Sequence, residues 1–141
     1  MMRTAFDADV LIYAAAENHP TGAVVADLLA RSGSELPGMI GSVLLLPEVL
    51  SKPMRDDPES DEVAALISIL SRLDLRAADE PTTRLALALA ISYGLRAADA
   101  IHLATAVASG AERFLTNNRK DFPKSITEID IVYADDLRDD T

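Results

Sequence analysis

Three acidic residues interrupt apolar segments of this chain, and they constrain its folding more than any other feature. Asp7 ends an apolar run, Glu48 lies within VLLLPEVL, and Asp99 interrupts AADAIHLATA. An ionised carboxylate that is buried alone costs so much free energy that it normally acquires a partner or a metal ion. Three such acids indicate convergence on one cation, and they point toward Mg²⁺-dependent phosphate chemistry.

The composition favours one globular domain spanning residues 1–141. The chain is 49% hydrophobic, which is enough to build a core, and only 4% of its residues are aromatic. It contains no cysteine, which excludes disulfides and thiolate metal sites. No apolar run approaches the roughly 20 residues of a membrane span, and the N-terminus does not read as a signal peptide. We therefore expect a cytoplasmic protein with no membrane association.

The charge balance limits how the chain could bind nucleic acid. Its formal net charge is −10, and many acids fall in two runs, Asp56 to Glu62 and the C-terminal ADDLRDDT. Loose, non-specific nucleic-acid binding depends on clustered Lys and Arg residues that release counterions. Any nucleic acid must therefore be held locally, with metal ions neutralising the repulsion.

Hydrophobic periodicity predicts strands that alternate with helices. The predicted strands are 3–6, 39–42, 75–77, 113–116 and 129–133. The predicted helices are 10–16, 21–31, 43–50, 60–73, 80–93 and 97–109. We expect the third helix to end near Pro53, within a polar loop over 52–59, and Gly94 and Gly110 to end the last two helices. This order predicts an α/β fold, a three-layer α/β/α sandwich with a mostly parallel five-stranded sheet.

The predicted sheet places the interrupting acids at one edge, because loops that follow parallel strands lie at the usual ligand site. Asp7 directly follows the first strand, and Glu48 lies six residues beyond the end of the second. Asp9 is interpreted as the N-cap of the next helix. The structural alternatives are that Asp7 is itself an N-cap and that Glu48 faces solvent.

The last helix and the loop after the fourth strand supply further polar side chains. Asp99 lies in the first turn of its helix, where a purely structural acid is the alternative. His102 lies one turn further along and is interpreted as a hydrogen-bonded packing residue outside the site. In the loop, Asp121 is a candidate fourth acid and Asn118 is its neutral alternative. Two loop residues complete the predicted supporting set with Asn118, namely Thr116 and Asn117.

Four segments in order resemble the successive motifs of the PIN-domain family, and most closely the VapC-type ribonuclease toxins. They are FDADVLIYA, SVLLLPEVL, LRAADAIHLATA and FLTNNRKDF, and they span Phe6 to Phe122. The resemblance implies a Mg²⁺- or Mn²⁺-dependent endoribonuclease with an RNA substrate, a cognate antitoxin and a homodimeric state. It also implies that four acids are catalytic and metal-binding, namely Asp7, Glu48, Asp99 and Asp121.

This chain departs from the family pattern at two positions. Many PIN domains have an aspartate directly after Thr-Asn, where this chain has Asn118, whereas toxin-like members often carry the acid three residues later, as Asp121 does here. Relatives commonly have Ser, Thr or Asn where this chain has Asp9. That substitution adds a negative charge beside the site.

Two other interpretations compete with the nuclease. Asp7 and Asp9 could be the nucleophile and general acid of a haloacid-dehalogenase-like phosphatase. The 18 residues between Thr116 and Asp135 leave little room for that fold, and it does not explain Glu48 or Asp99. The chain could also be a non-catalytic PIN-like scaffold that binds a protein partner.

Overall fold

Short apolar segments form the strands at the centre of the protein. The computed structural model describes residues 2–31 and 38–137. The strands are β1 (Thr4–Phe6), β2 (Met39–Ser42), β3 (Asp74–Arg76), β4 (Arg113–Thr116) and β5 (Asp130–Tyr133). They form one sheet in the order β3-β2-β1-β4-β5, and every pairing is parallel. The predicted parallel five-stranded sheet is confirmed.

The central strand β1 is fully buried and lies where the strand order changes direction. The chain adds β2 and β3 on one side of β1 and then crosses to add β4 and β5 on the other side. Loops that leave β1 and β4 at their carboxyl ends therefore run to opposite faces, and a crevice opens between them. Asp7 and Asn117 are the first residues beyond these two strands.

Helices cover both faces of the sheet. Those in the described part of the chain are α1 (Ala8–Ala15), α2 (Pro20–Arg31), α3 (Leu45–Asp56), α4 (Asp61–Ser71), α5 (Glu80–Tyr93), α6 (Ala97–Ala108) and α7 (Ala134–Leu137). Alternate strand residues face opposite cores, so Ala5 and Phe114 pack with α5 and α6, whereas Phe6 and Leu115 pack with α1, α3 and α4. The predicted three-layer sandwich is therefore confirmed. None of these helices is long and apolar enough to cross a membrane.

The helix boundaries follow local capping in most places. The Ser60 and Asp79 side chains accept hydrogen bonds from the third backbone N–H group beyond them, which fixes the starts of α4 and α5. Gly94 adopts a φ of 66° at the end of α5, and Gly110 adopts 74° just beyond α6. The prediction that these two glycines end the helices is confirmed.

One predicted feature of the fold was wrong, and one helix was not predicted. Helix α3 does not end near Pro53 but continues to Asp56, so residues 52–56 of the predicted loop are helical. Lys52 pairs with Asp56 at 2.9 Å one turn further on, and the N–H of Asp57 bonds to the Pro53 carbonyl at 2.9 Å. These contacts stabilise the last turn although proline supplies no N–H. The sequence also did not predict α7, and the last acids of the C-terminal run, 139–140, lie outside the described residues.

Close packing of α1 against α2 depends on a glycine. A Cβ atom added to Gly22 would lie 1.9 Å from the carbonyl oxygen of Tyr13 and 2.5 Å from its carbonyl carbon. Real Cβ atoms do not approach backbone atoms so closely, so any side chain at this position must push the helices apart. Since α1 follows directly from Asp7, this contact also fixes the helix that begins at the sheet edge.

We predict that Gly22→Ala lowers the free energy of unfolding by about 3 kcal/mol, because the clash is with rigid backbone. Gly94→Ala is the matched control, since nothing lies within 4 Å of its added Cβ. It should cost only about 1 kcal/mol for the positive φ. Urea unfolding of both variants measures the difference, and equal losses would contradict the proposed close packing.

Candidate active site

Asp7 is buried at the junction of β1 and β4. Its backbone N–H donates to the Leu115 carbonyl at 2.9 Å, which extends the β1–β4 pairing by one residue. One carboxylate oxygen accepts from the Thr116 hydroxyl at 2.7 Å and the other from the N–H of Ala8 at 2.8 Å. Burial raises the pKa of Asp7, and these two hydrogen bonds oppose that rise. Asp7 is thus held firmly in an apolar setting.

Asp7, rather than Asp9, is the N-cap of α1, so the capping role predicted for Asp9 was wrong. The helix begins at Ala8, immediately after the strand, which places Asp9 inside the first turn. Asp7 therefore combines the capping role with its place at the sheet edge. The sequence pattern could not separate two acids spaced two residues apart.

Asp9 lies close to Asp7 in the folded protein. Its Oδ2 accepts from the N–H of Asn117 at 3.0 Å, whereas its Oδ1 is buried and has no hydrogen-bond partner among the described residues. Burial and then the charge of Asp7 raise the pKa of Asp9 to about 7. The extra acid therefore lies within the site, and its unpaired oxygen is a potential ligand for a cation.

The turn after β4 holds Asp121 through Asn118. The Asn118 side chain donates to Asp121 Oδ2 at 2.9 Å and accepts from the Asp121 N–H at 3.1 Å. The Asn118 backbone donates to the Thr116 hydroxyl oxygen at 3.0 Å and accepts from the N–H of buried Phe122 at 3.0 Å. Asn118 is thus fixed at both ends and orients the acid beside it.

Asn117 ties this turn to α7. Its side chain donates to Asp135 Oδ2 at 3.1 Å and accepts from the Asp135 N–H at 3.2 Å. The Thr21 hydroxyl donates to the other Asp135 oxygen, which brings α2 into the same network. Asn117 therefore supports the site from behind, and its backbone N–H is the group that contacts Asp9.

Three of the four acids predicted for the site lie within electrostatic reach of the fourth, Asp99. Asp99, in the first turn of α6, has a pKa that is raised first by burial and then by the charges of Asp7, Asp121 and Glu48. These residues come from four separate parts of the chain, at the ends of β1 and β4 and in the first turns of α3 and α6. Folding therefore concentrates negative charge at the crevice.

Glu48 contacts His102, a residue that the sequence analysis excluded from the site. The Nε2 atom of His102 lies against Glu48 Oε2, and this contact lowers the pKa of Glu48. His102 is buried, as predicted for a packing residue, but its partner is one of the candidate acids. The spacing of three residues from Asp99 on one helical face is the signal that could have indicated its position.

The donor set fits a hard divalent cation. Carboxylate oxygens are the ligands that Mg²⁺ and Mn²⁺ prefer, and the site offers several acids together with the unpaired oxygen of Asp9. Within residues 2–31 and 38–137, no three His, Cys, Asp or Glu side chains are already arranged to hold a metal ion. The fit of the site to a divalent cation therefore rests on its carboxylate oxygens and on the combined negative charge of its acids.

Fold and site together define a three-layer α/β protein with an acidic crevice at the switch point of a parallel sheet. The PIN domain family matches residues 5–125, which is most of the sequence. This chain belongs to the PIN domain family. Family membership confirms the resemblance found in the sequence motifs and favours it over the phosphatase interpretation.

Three solved structures share the fold over nearly their whole length. A toxin–antitoxin complex from Klebsiella pneumoniae has 23% identity and a TM-score of 0.71, covering 93% of this chain and 97% of that chain. VapBC2 from Rickettsia felis, bound to a promoter DNA fragment, has 20% identity and a TM-score of 0.71, covering 94% of this chain and 98% of that chain. DNA-bound VapBC from Salmonella typhimurium has 20% identity and a TM-score of 0.72, covering 95% of this chain and 99% of that chain. Comparison with curated proteins gives no significant match.

Stability should depend on pH through Asp9 when divalent ions are removed. The folded protein keeps the Asp9 proton up to about pH 7, whereas the unfolded chain loses it near the ordinary value of 3.8. The unfolded state therefore binds fewer protons between these values, and stability falls as the pH rises through this window.

We predict that Asp9→Asn raises the melting temperature at pH 8 by about 3 °C or more and has little effect at pH 4. The amide oxygen can still accept from Asn117, and its N–H₂ can donate toward Asp7. Thermal unfolding in EDTA measures both values. Glu17→Gln, an exposed position outside the site, controls for the loss of one charge. An equal gain in that control, or no gain at pH 8, would contradict the assigned repulsion.

Proposed function

We propose that this chain is a Mg²⁺- or Mn²⁺-dependent endoribonuclease and the toxin of a type II toxin–antitoxin pair. The proposal rests on the convergence of three other acids on Asp99. Burial raises the pKa of Asp99 first, and the nearby charges of Asp7, Asp121 and Glu48 raise it further. Like charges assembled in a partly buried site are costly unless a cation offsets them. Membership of the PIN domain family supports the same chemistry.

Asp7 and Asp99 would be the principal metal ligands, with Glu48 and Asp121 completing the set. A bound divalent ion would supply a water of lowered pKa and a contact for the scissile phosphate. The protein's own task is orientation: the Thr116 hydroxyl fixes one oxygen of Asp7, and the Asn118 side chain fixes Asp121. Both of these donors are neutral, so neither places a positive charge where the ion would bind.

The partner proteins follow from the same proposal. The solved structures that share the fold are described as a toxin–antitoxin complex and as VapBC bound to DNA, which supports a cognate antitoxin as partner. We extend the proposal to a homodimer acting in the cytoplasm through a single domain over residues 1–141. Expression of this chain tests the proposed toxin–antitoxin pair. The chain should arrest growth, and co-expression of a short reading frame immediately upstream should relieve the arrest.

Asp7→Asn is predicted to reduce metal-dependent cleavage of total cellular RNA by more than about 100-fold, beyond the usual loss for a residue that only supports a metal ligand. The amide oxygen can still accept from the N–H of Ala8, and the amide N–H₂ can donate to the Thr116 hydroxyl oxygen, so the variant should fold. Asp27→Asn is the matched control, because Asp27 is exposed on α2 and pairs only with Arg31 in the described contacts. Gel analysis with Mn²⁺ and with EDTA provides the measurement.

An active, well-folded Asp7→Asn protein would overturn the assignment of this acid. If Mg²⁺ and Mn²⁺ neither stabilise the wild-type fold nor support cleavage, the non-catalytic scaffold interpretation replaces the nuclease. Loss of activity in Asp27→Asn would show that removing any charge is enough to impair cleavage.

We propose that Asp121, rather than Asn118, fills the fourth acidic position, because its charge reaches Asp99. Asp121→Asn should reduce cleavage by about 10–100-fold. Asp136→Asn is the control, since Asp136 is exposed nearby and pairs with Arg119 at 3.1 Å. Full activity in Asp121→Asn, together with its loss in Asn118→Ala, would assign the position to Asn118 instead.

A further inference from the structure

We propose that His102 is a positioning residue that holds the Glu48 carboxylate in place for the divalent ion. The inference rests on the proposed function and deepens it. It begins from the contact between His102 Nε2 and Glu48 Oε2, which joins two residues 54 positions apart. The His102 side chain is 1% exposed, whereas the Glu48 side chain is 37% exposed. A rigid, buried group therefore contacts a partly solvated acid.

Glu48 needs such a partner because of where it lies. It projects from the first turn of α3, and its long side chain has several rotamers that point into water. Asp7 is held by Thr116 and Ala8, and Asp121 by Asn118, so two other acids have fixed partners of their own. His102 is the corresponding partner for Glu48.

The His102 contact leaves one oxygen of Glu48 available. His102 engages Oε2, so Oε1 can face the crevice that contains Asp7 and Asp99. Because His102 is itself buried and fixed, the contact holds the Glu48 carboxylate in one orientation, as a metal ligand must be.

Packing alone does not account for a histidine at this position. His102 Nδ1 is buried and has no hydrogen-bond partner among the described residues, which is an unfavourable arrangement for a residue that only fills space. Leucine could occupy the same buried position without an unpaired nitrogen. A positioning role predicts that metal affinity and stability respond differently to this substitution.

The first experiment measures Mn²⁺ binding to the full chain by isothermal titration calorimetry. His102→Leu should weaken the affinity by about 10–100-fold, and its melting temperature should not fall. His102→Gln places an amide N–H near the former Nε2, so its affinity should stay within about threefold of wild type. Thr105→Val is the matched control: Thr105 is buried one turn further along α6, and its hydroxyl also lacks a partner among the described residues. Its affinity should be unchanged.

The second experiment tests whether His102 acts through Glu48. In a double-mutant cycle, His102→Leu should cause no further loss of Mn²⁺ affinity once Glu48→Gln is present. A full additional loss in that background would overturn the proposal. Wild-type affinity in His102→Leu, or a loss in His102→Gln equal to that in His102→Leu, would overturn it as well.

The outcomes separate this inference from the proposed function. If the wild-type protein binds no Mn²⁺, both fail together. If it binds Mn²⁺, and Asp7→Asn removes binding while His102→Leu does not weaken it, the metal site stands and only the role of His102 is rejected.

Discussion

Repulsion between carboxylates that are held together at the carboxyl edge of the sheet is the constraint on which the site depends. Pairing of β1 with β4 buries Asp7 at the point where the strand order changes direction. The loop after β4 brings Asp121 to the same edge of the sheet. Asp99 and Glu48 arrive from the first turns of α6 and α3. Each added acid makes the charged form of its neighbours less favourable, so a bound cation would stabilise the group.

The residues that fix the acids in place are neutral, so they do not offset this repulsion. Thr116, Asn117 and Asn118 fix the positions of acids through hydroxyl, amide and backbone donors without cancelling their charge. The nearby cation Arg119 is directed elsewhere, because it pairs with Asp136 and stacks 4.3 Å from the centre of the Tyr133 ring. The crevice therefore combines rigid geometry with strong negative potential, as a site for a divalent ion requires.

Most elements of the fold could be predicted because local chemistry specifies them. Short apolar segments between helical stretches predicted the strands and their order along the chain. Gly94 and Gly110 predicted the ends of two helices. The errors arose where tertiary or local contacts overrode a simple rule. Helix α3 continues past Pro53 through the Lys52–Asp56 pair, and α1 begins at Ala8 because Asp7 caps it directly from the strand.

The sequence by itself determined the family, the parallel α/β architecture and the acids that could form a site, because buried charges stand out against an apolar pattern. Only the tertiary structure decided how those acids are held. The contact of His102 with Glu48 depends on how α6 and α3 are placed relative to each other, and the position of Asp9 depends on its hydrogen bond with the backbone of Asn117. Such contacts join residues distant along the chain, so local spacing and propensity do not specify them.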